Sequence, residues 1–250
     1  MLNKSLLLLQ YSKIHSKLLN NSIGAIKLAS YLFRNISKFN IQNSLTFNNG
    51  KTSTIEYGSI SPTNNTIVFG NQTWSIYEAT QKKVHNDVIY IDDTPYEGYE
   101  SRTNFNIFVN KHQTLLIGVG ASKVINSFFK KLDSVCDDVD ITIPNFDFDL
   151  IANRLASVKA VWMNTAHNPK VTTEALMGPG VMEDSRTKTA INSHRATYIN
   201  VLIDIDDRQR VIGFSKKGAI ILINPCQPMS TDERINLIYT TYKYVTTKTS

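Results

Sequence analysis

The chain has 250 residues, with 27 Lys+Arg against 21 Asp+Glu, 42% hydrophobic residues and 19% charged residues. That apolar fraction is too high for a disordered chain, 11 Gly and 7 Pro are too few for a collagen-like or low-complexity one, and two cysteines cannot build a disulfide scaffold. The net charge of +6 is unevenly placed: residues 1–55 carry Lys4, Lys13, Lys17, Lys27, Arg34, Lys38 and Lys51, and the first carboxylate is Glu56. The remainder, with about 20 basic and 21 acidic residues, is nearly neutral.

The acid-free start does not read as a targeting segment. It holds a single Arg, whereas organellar presequences favour Arg over Lys, and its apolar run 6–9 is too short for a secretory signal. No stretch approaches the roughly 18 consecutive apolar residues of a membrane-spanning helix. These features point to a cytoplasmic protein with Cys136 and Cys226 as free thiols. The abundance of Asn, Ile, Lys and Tyr suggests an AT-rich genome, which sets the expectation of a bacterial or mobile-element context such as phage defence.

In chain order, Leu7, Tyr11, Ile14 and Leu18 recur at helical spacing, so residues 4–20 read as an amphipathic helix with Lys13 and Lys17 off its apolar stripe. Ile23, Ile26, Leu28, Leu32 and Phe33 continue the period as a second helix, which carries Lys27. Residues 44–49 and 51–60 then read as strands about an Asn49-Gly50 hairpin turn, and residues 62–65 as a further turn. Residues 66–69 and 88–91 are short strand candidates. Residues 104–109 and 114–119 make a hairpin, followed by a helix that opens near Ser122 and buries Val124, Ile125, Phe128, Phe129 and Leu132.

The second half repeats the mixture. Residues 141–143 are a strand, Asp147 or Asp149 caps a helix, and residues 158–163, 171–177 and 198–205 are strands. Residues 183–194 are helix or loop. Residues 206–209 turn into strands 210–215 and 219–223, joined through Lys216-Lys217-Gly218. Ser230 and Glu233 have capping-box spacing ahead of Ile235, Ile238, Tyr242 and Val245, which specifies a C-terminal helix. The expected class is therefore α+β, with mostly antiparallel sheet, two N-terminal helices and a C-terminal helix. A boundary at 134–138 would divide it into subdomains 1–134 and 135–250; the alternative is one continuous sheet.

Three constellations carry chemistry. The Gly118, Gly120, Ser122 and Lys123 turn joins a strand to a helix, where outward amides and the helix dipole favour an anion. It lacks the third glycine of the dinucleotide fingerprint and the Gly-Lys-Ser/Thr of a P-loop, so a tight turn accounts for it more simply. Asp204 and Asp206 lie on one face of a strand and would hold Mg²⁺ in a phosphoryl-transfer or nuclease site; a solvated strand face is the plainer account. Arg208, Arg210, Lys216 and Lys217 cluster on a hairpin and, with Lys13, Lys17 and Lys27 of the N-terminal helices, would contact nucleic-acid phosphates without reading bases.

The histidines His15, His85, His112, His167 and His194 show no zinc-ligand spacing, and neither cysteine sits in a nucleophile signature. The expectation from sequence is a non-enzymatic macromolecule-binding protein, with nucleic acid or a protein as partner and no cofactor. One alternative is a metal-dependent enzyme on phosphorylated or nucleic-acid substrates, which alone would bring in Mg²⁺. The other is a structural protein that oligomerises through its N-terminal helices.

Overall fold

The computed structural model describes residues 6–12, 38–46, 52–110, 115–135, 141–155, 157–165, 171–223 and 229–247. Its strands are β1 (Leu6–Ser12), β2 (Lys38–Thr46), β3 (Thr52–Phe69), β4 (Gln72–Ile91), β5 (Thr94–Asn110), β6 (Leu115–Val119), β7 (Ile141–Thr142), β8 (Ser157–Asn164), β9 (Thr173–Met177), β10 (Ala196–Ile205), β11 (Arg208–Ser215) and β12 (Ala219–Leu222). The helices are α1 (Ser122–Val135), the short α2 (Phe148–Leu150) running into a π turn over Ile151–Leu155, α3 (Ser185–Asn192) and α4 (Thr231–Thr247).

All the strands share one sheet, in the order β2-β3-β4-β5-β6-β1-β12-β11-β10-β8-β9, with β7 beside β1. Every pairing in it is antiparallel. Strands from before and after residues 134–138 are knitted together through β1, which pairs β6 on one side and β12 on the other.

β1 overturns the expected N-terminal helix. The spacing of Leu7 and Tyr11 satisfies a helical period, but the uninterrupted run Leu6-Leu7-Leu8-Leu9 equally suits a strand deep in a sheet, where both edges are paired. Leu7 opposite Val119 and Ile220 fixes that register. The fold is accordingly a predominantly antiparallel β-structure and not an α+β body led by helices. The rest of the first expected helix, with Lys13 and Lys17, and the second, with Lys27, lie outside the described residues.

Two further expectations change in scale. Residues 62–65 are not a turn between strands but a bulge inside the 18-residue β3, where the register to β4 shifts between Pro62 and Thr66 and Asn64 takes φ 61°. The strand expected at 88–91 is the end of the 20-residue β4. The hairpin turns that make these long strands possible have a common chemistry: Gly70-Asn71, Asp92-Asp93 and Asp206-Asp207 all have positive φ at both positions, the type I′ geometry that matches strand twist.

Helices cover both faces of the sheet. Alternation along β6 shows the division: Leu116 packs with Ile125, Phe128, Phe129 and Leu132 of α1, whereas Leu115 and Ile117 join the core under α4. On the α4 side, Trp74 is fully buried, stacks on Phe69 at 4.4 Å and donates from Nε1 to the Phe69 carbonyl at 3.2 Å, with Tyr239 edge-on at 5.3 Å. The start of α4 is fixed by its capping box: the Glu233 amide donates to Ser230 Oγ at 3.2 Å and the Ser230 amide to Glu233 Oε2 at 2.7 Å. These hydrogen bonds hold the Glu233 carboxyl below its ordinary range.

Candidate functional site

Among the described residues no three His, Cys, Asp or Glu side chains gather closely enough to hold a metal. Asp204 is exposed near the end of β10, and Asp206 sits in the type I′ turn with φ 52°, a conformation Asp tolerates well. The Gly118 to Lys123 turn does join β6 to α1. Its first glycine answers to packing, because a Cβ on Gly118 would lie 2.7 Å from Ile125 Cγ2.

The four arginines and lysines of the β10–β12 region do not form one patch. Arg208 opens β11 and Lys216 follows its end, so the two stand at opposite edges of the sheet, about 27 Å apart at 3.4 Å per residue. Arg208 and Lys217 are exposed, Arg210 is half-buried with no hydrogen-bond partner at Nε, and Lys216 donates from Nζ to the His194 carbonyl.

Two other features stand out, and neither follows from a motif. The first is the far end of the β4–β5 hairpin. β3 pairs β4 only as far as Gly58 with Gln81, and β6 pairs β5 only from Asn106. From Lys82 opposite Arg102 to Ile91 opposite Thr94, β4 and β5 therefore continue as a two-stranded ribbon about 27 Å long, with neither outer edge paired by another strand among the described residues. Its register puts His85, Val88 and Tyr90 on one face, opposite Tyr99, Glu97 and Pro95. The His85 and Tyr99 rings stack at 4.4 Å, and His85 Nε2 lies 2.9 Å from Ser101 Oγ.

Tyr90 is 72% exposed at this tip, where Val88, Ile91, Tyr96 and Tyr99 are also exposed. Residues 84–100 hold five carboxylates, Asp87, Asp92, Asp93, Glu97 and Glu100, and no Lys or Arg. Glu100 is paired with Arg102 at 2.6 Å. Beyond the Lys82, Lys83 and Arg102 of its base, the ribbon is thus aromatic, apolar and acidic on a chain that is basic overall.

The second feature is a cavity of about 120 Å³ at the opposite edge of the sheet. Its apolar walls are Phe146, Phe148, Ile191 and Ala196, and its rim is Asn145, Asp147, His194 and Lys216. The loop over it is set by Gly218, whose φ of +74° and close approach to Ile143 and Pro144 exclude a side chain. Phe146 packs edge-on against Phe214 at 5.2 Å. Asp147 is occupied as the N-cap of α2, accepting from the Leu150 amide at 3.1 Å. His194 closes α3 with φ 56°, its amide donating to the Ile191 carbonyl at 3.0 Å, and Arg195 follows with its amide on Ala190.

Sequence reasoning missed both features for one reason: each is assembled by register across the fold. The signal present for the ribbon was the run of exposed-type aromatics about Asp92-Asp93, a turn pair that reads as a hairpin in the same way as Asn-Gly. No helix among the described residues is long and apolar enough to cross a membrane. Compared with protein-family models the chain matches none, and no curated protein is similar to it.

Proposed function

We propose that this chain works in the cytoplasm by binding a macromolecule, not by catalysis, and that the β4–β5 ribbon is its contact element. The observation that carries this reading is the distribution of exposed apolar side chains. Of eight large hydrophobics exposed among the described residues, five are Val88, Tyr90, Ile91, Tyr96 and Tyr99 of the ribbon. Val88, Tyr90 and Tyr99 lie on one face of the ribbon and Ile91 and Tyr96 on the other, so the projection is apolar on both sides. Clustered exposed apolar side chains mark an interaction site, and a two-stranded ribbon is marginal in water unless something packs on it.

The acidity of residues 84–100 favours a protein partner over nucleic acid, whose phosphates would be repelled there. The test places a photo-crosslinking amino acid at Val88 in the full-length chain, in cells. A discrete protein adduct, lost when Tyr90 and Tyr96 are replaced by Ser, is the expected result. Absence of any adduct, or an adduct composed of nucleic acid, overturns the reading.

A further inference from the structure

The ribbon and the cavity are complementary in both shape and charge. At about 120 Å³ the cavity approaches the roughly 150 Å³ that accepts a benzene ring in an apolar interior. Its walls are two phenylalanines, an isoleucine and an alanine; of charged groups its rim holds Lys216 and the Asp147 carboxylate, which caps α2, and Arg195 and Lys217 are chain neighbours of rim residues. The ribbon presents an exposed phenol ring at Tyr90 among carboxylates. An aromatic anchor that fills an apolar pocket with cations beside it is the usual make-up of an interface hot spot.

Strand directions decide whether the two can meet within one chain. Because every step from β4 to β10 is antiparallel, the ribbon tip lies beyond the sheet edge that holds the end of β6 and the Asp206-Asp207 turn. The β11–β12 turn, with Lys216 and the start of β10, is on the opposite edge. A chain cannot reach its own cavity with its own ribbon.

We infer that the ribbon of one copy docks on a second copy, Tyr90 entering the Phe146–Phe148–Ile191 cavity and the ribbon carboxylates facing Arg195, Lys216 and Lys217. This rests on the ribbon being the contact element, and it names the partner. Such an interface is head-to-tail, so it closes into a ring or extends as a filament.

Sedimentation of the purified full-length chain tests it. The expected result is a mass per particle that rises with protein concentration and falls with added salt. Tyr90→Ser and Lys217→Glu should each weaken self-association about tenfold or more, with unchanged melting because both side chains are exposed. Asp87→Lys should weaken it likewise, and mixing Asp87→Lys chains with Lys217→Glu chains should restore association between unlike copies. A wild-type chain that stays monomeric at every concentration overturns the proposal, as does association that Tyr90→Ser leaves intact. A monomeric chain that still gives a Val88 adduct to a different protein would sink the second-copy inference alone; with no adduct, the ribbon reading falls as well.

Discussion

β4 and β5 form one hairpin in two environments. Near the sheet, Ala79, Phe105 and Ile107 of these strands are buried against α1, with Phe105 edge-on to Phe128 at 5.1 Å. Beyond Lys82 and Arg102 the same ladder of hydrogen bonds continues with no helix and no neighbouring strand among the described residues, and Tyr90, Tyr96 and Tyr99 are exposed. Charge differs between the halves, but their apolar content does not separate them, since both are rich in aromatic and β-branched residues. What separates them is whether another element reaches them. The inner half is core, and the outer half is held by cross-strand pairs such as His85 with Tyr99.

This contrast can be broken first at the core. Trp74→Ala should cost about 3–5 kcal/mol by chemical denaturation, because it removes a fully buried indole that stacks on Phe69 and meets Tyr239 edge-on. Gly118→Ala, pushing a methyl towards Ile125 beneath α1, should cost about 1–3 kcal/mol. Ser230→Ala should cost about 1 kcal/mol by opening the α4 cap. Tyr90→Ser on the ribbon should change stability by less than about 0.5 kcal/mol while altering association. A ribbon substitution that destabilised as much as Trp74→Ala would show that the two halves are one core after all.

Two titrations sharpen the same division. Glu233 has its carboxyl lowered from an ordinary value of 4.5 by the Ser230 amide and hydroxyl, so its contribution is present above that value and is lost as pH falls through the lower, folded one. The melting difference between wild type and Glu233→Gln should therefore shrink in acid. Burial pushes the Tyr198 phenol up to about 12. The unfolded chain ionises this group near 10, so stability should decline as pH rises from there towards 12, and absorbance titration should show a late-ionising tyrosine.

Local chemistry was legible in advance, and long-range placement was not. The capping box of Ser230 and Glu233, the Asp147 cap and the opening of α1 at Ser122 each depend on a few consecutive residues, and each is present. The four-leucine run of β1 was ambiguous because helix and strand both bury such a run. Val119 and Ile220, more than a hundred residues away, settled it. Arg208 and Lys216 looked like neighbours because eight residues separate them, yet an extended strand of that length places them at opposite edges of the sheet.

The sequence by itself determined the Asp206-Asp207 turn and the caps, since the φ that Asp tolerates and the hydrogen bonds that Asp, Ser and Glu offer are properties of adjacent residues. Only the tertiary structure decided that an N-terminal leucine run lies mid-sheet and that one half of the β4–β5 hairpin extends past the other described strands. Burial depends on which distant strand or helix arrives, and that is set by pairing across the whole chain.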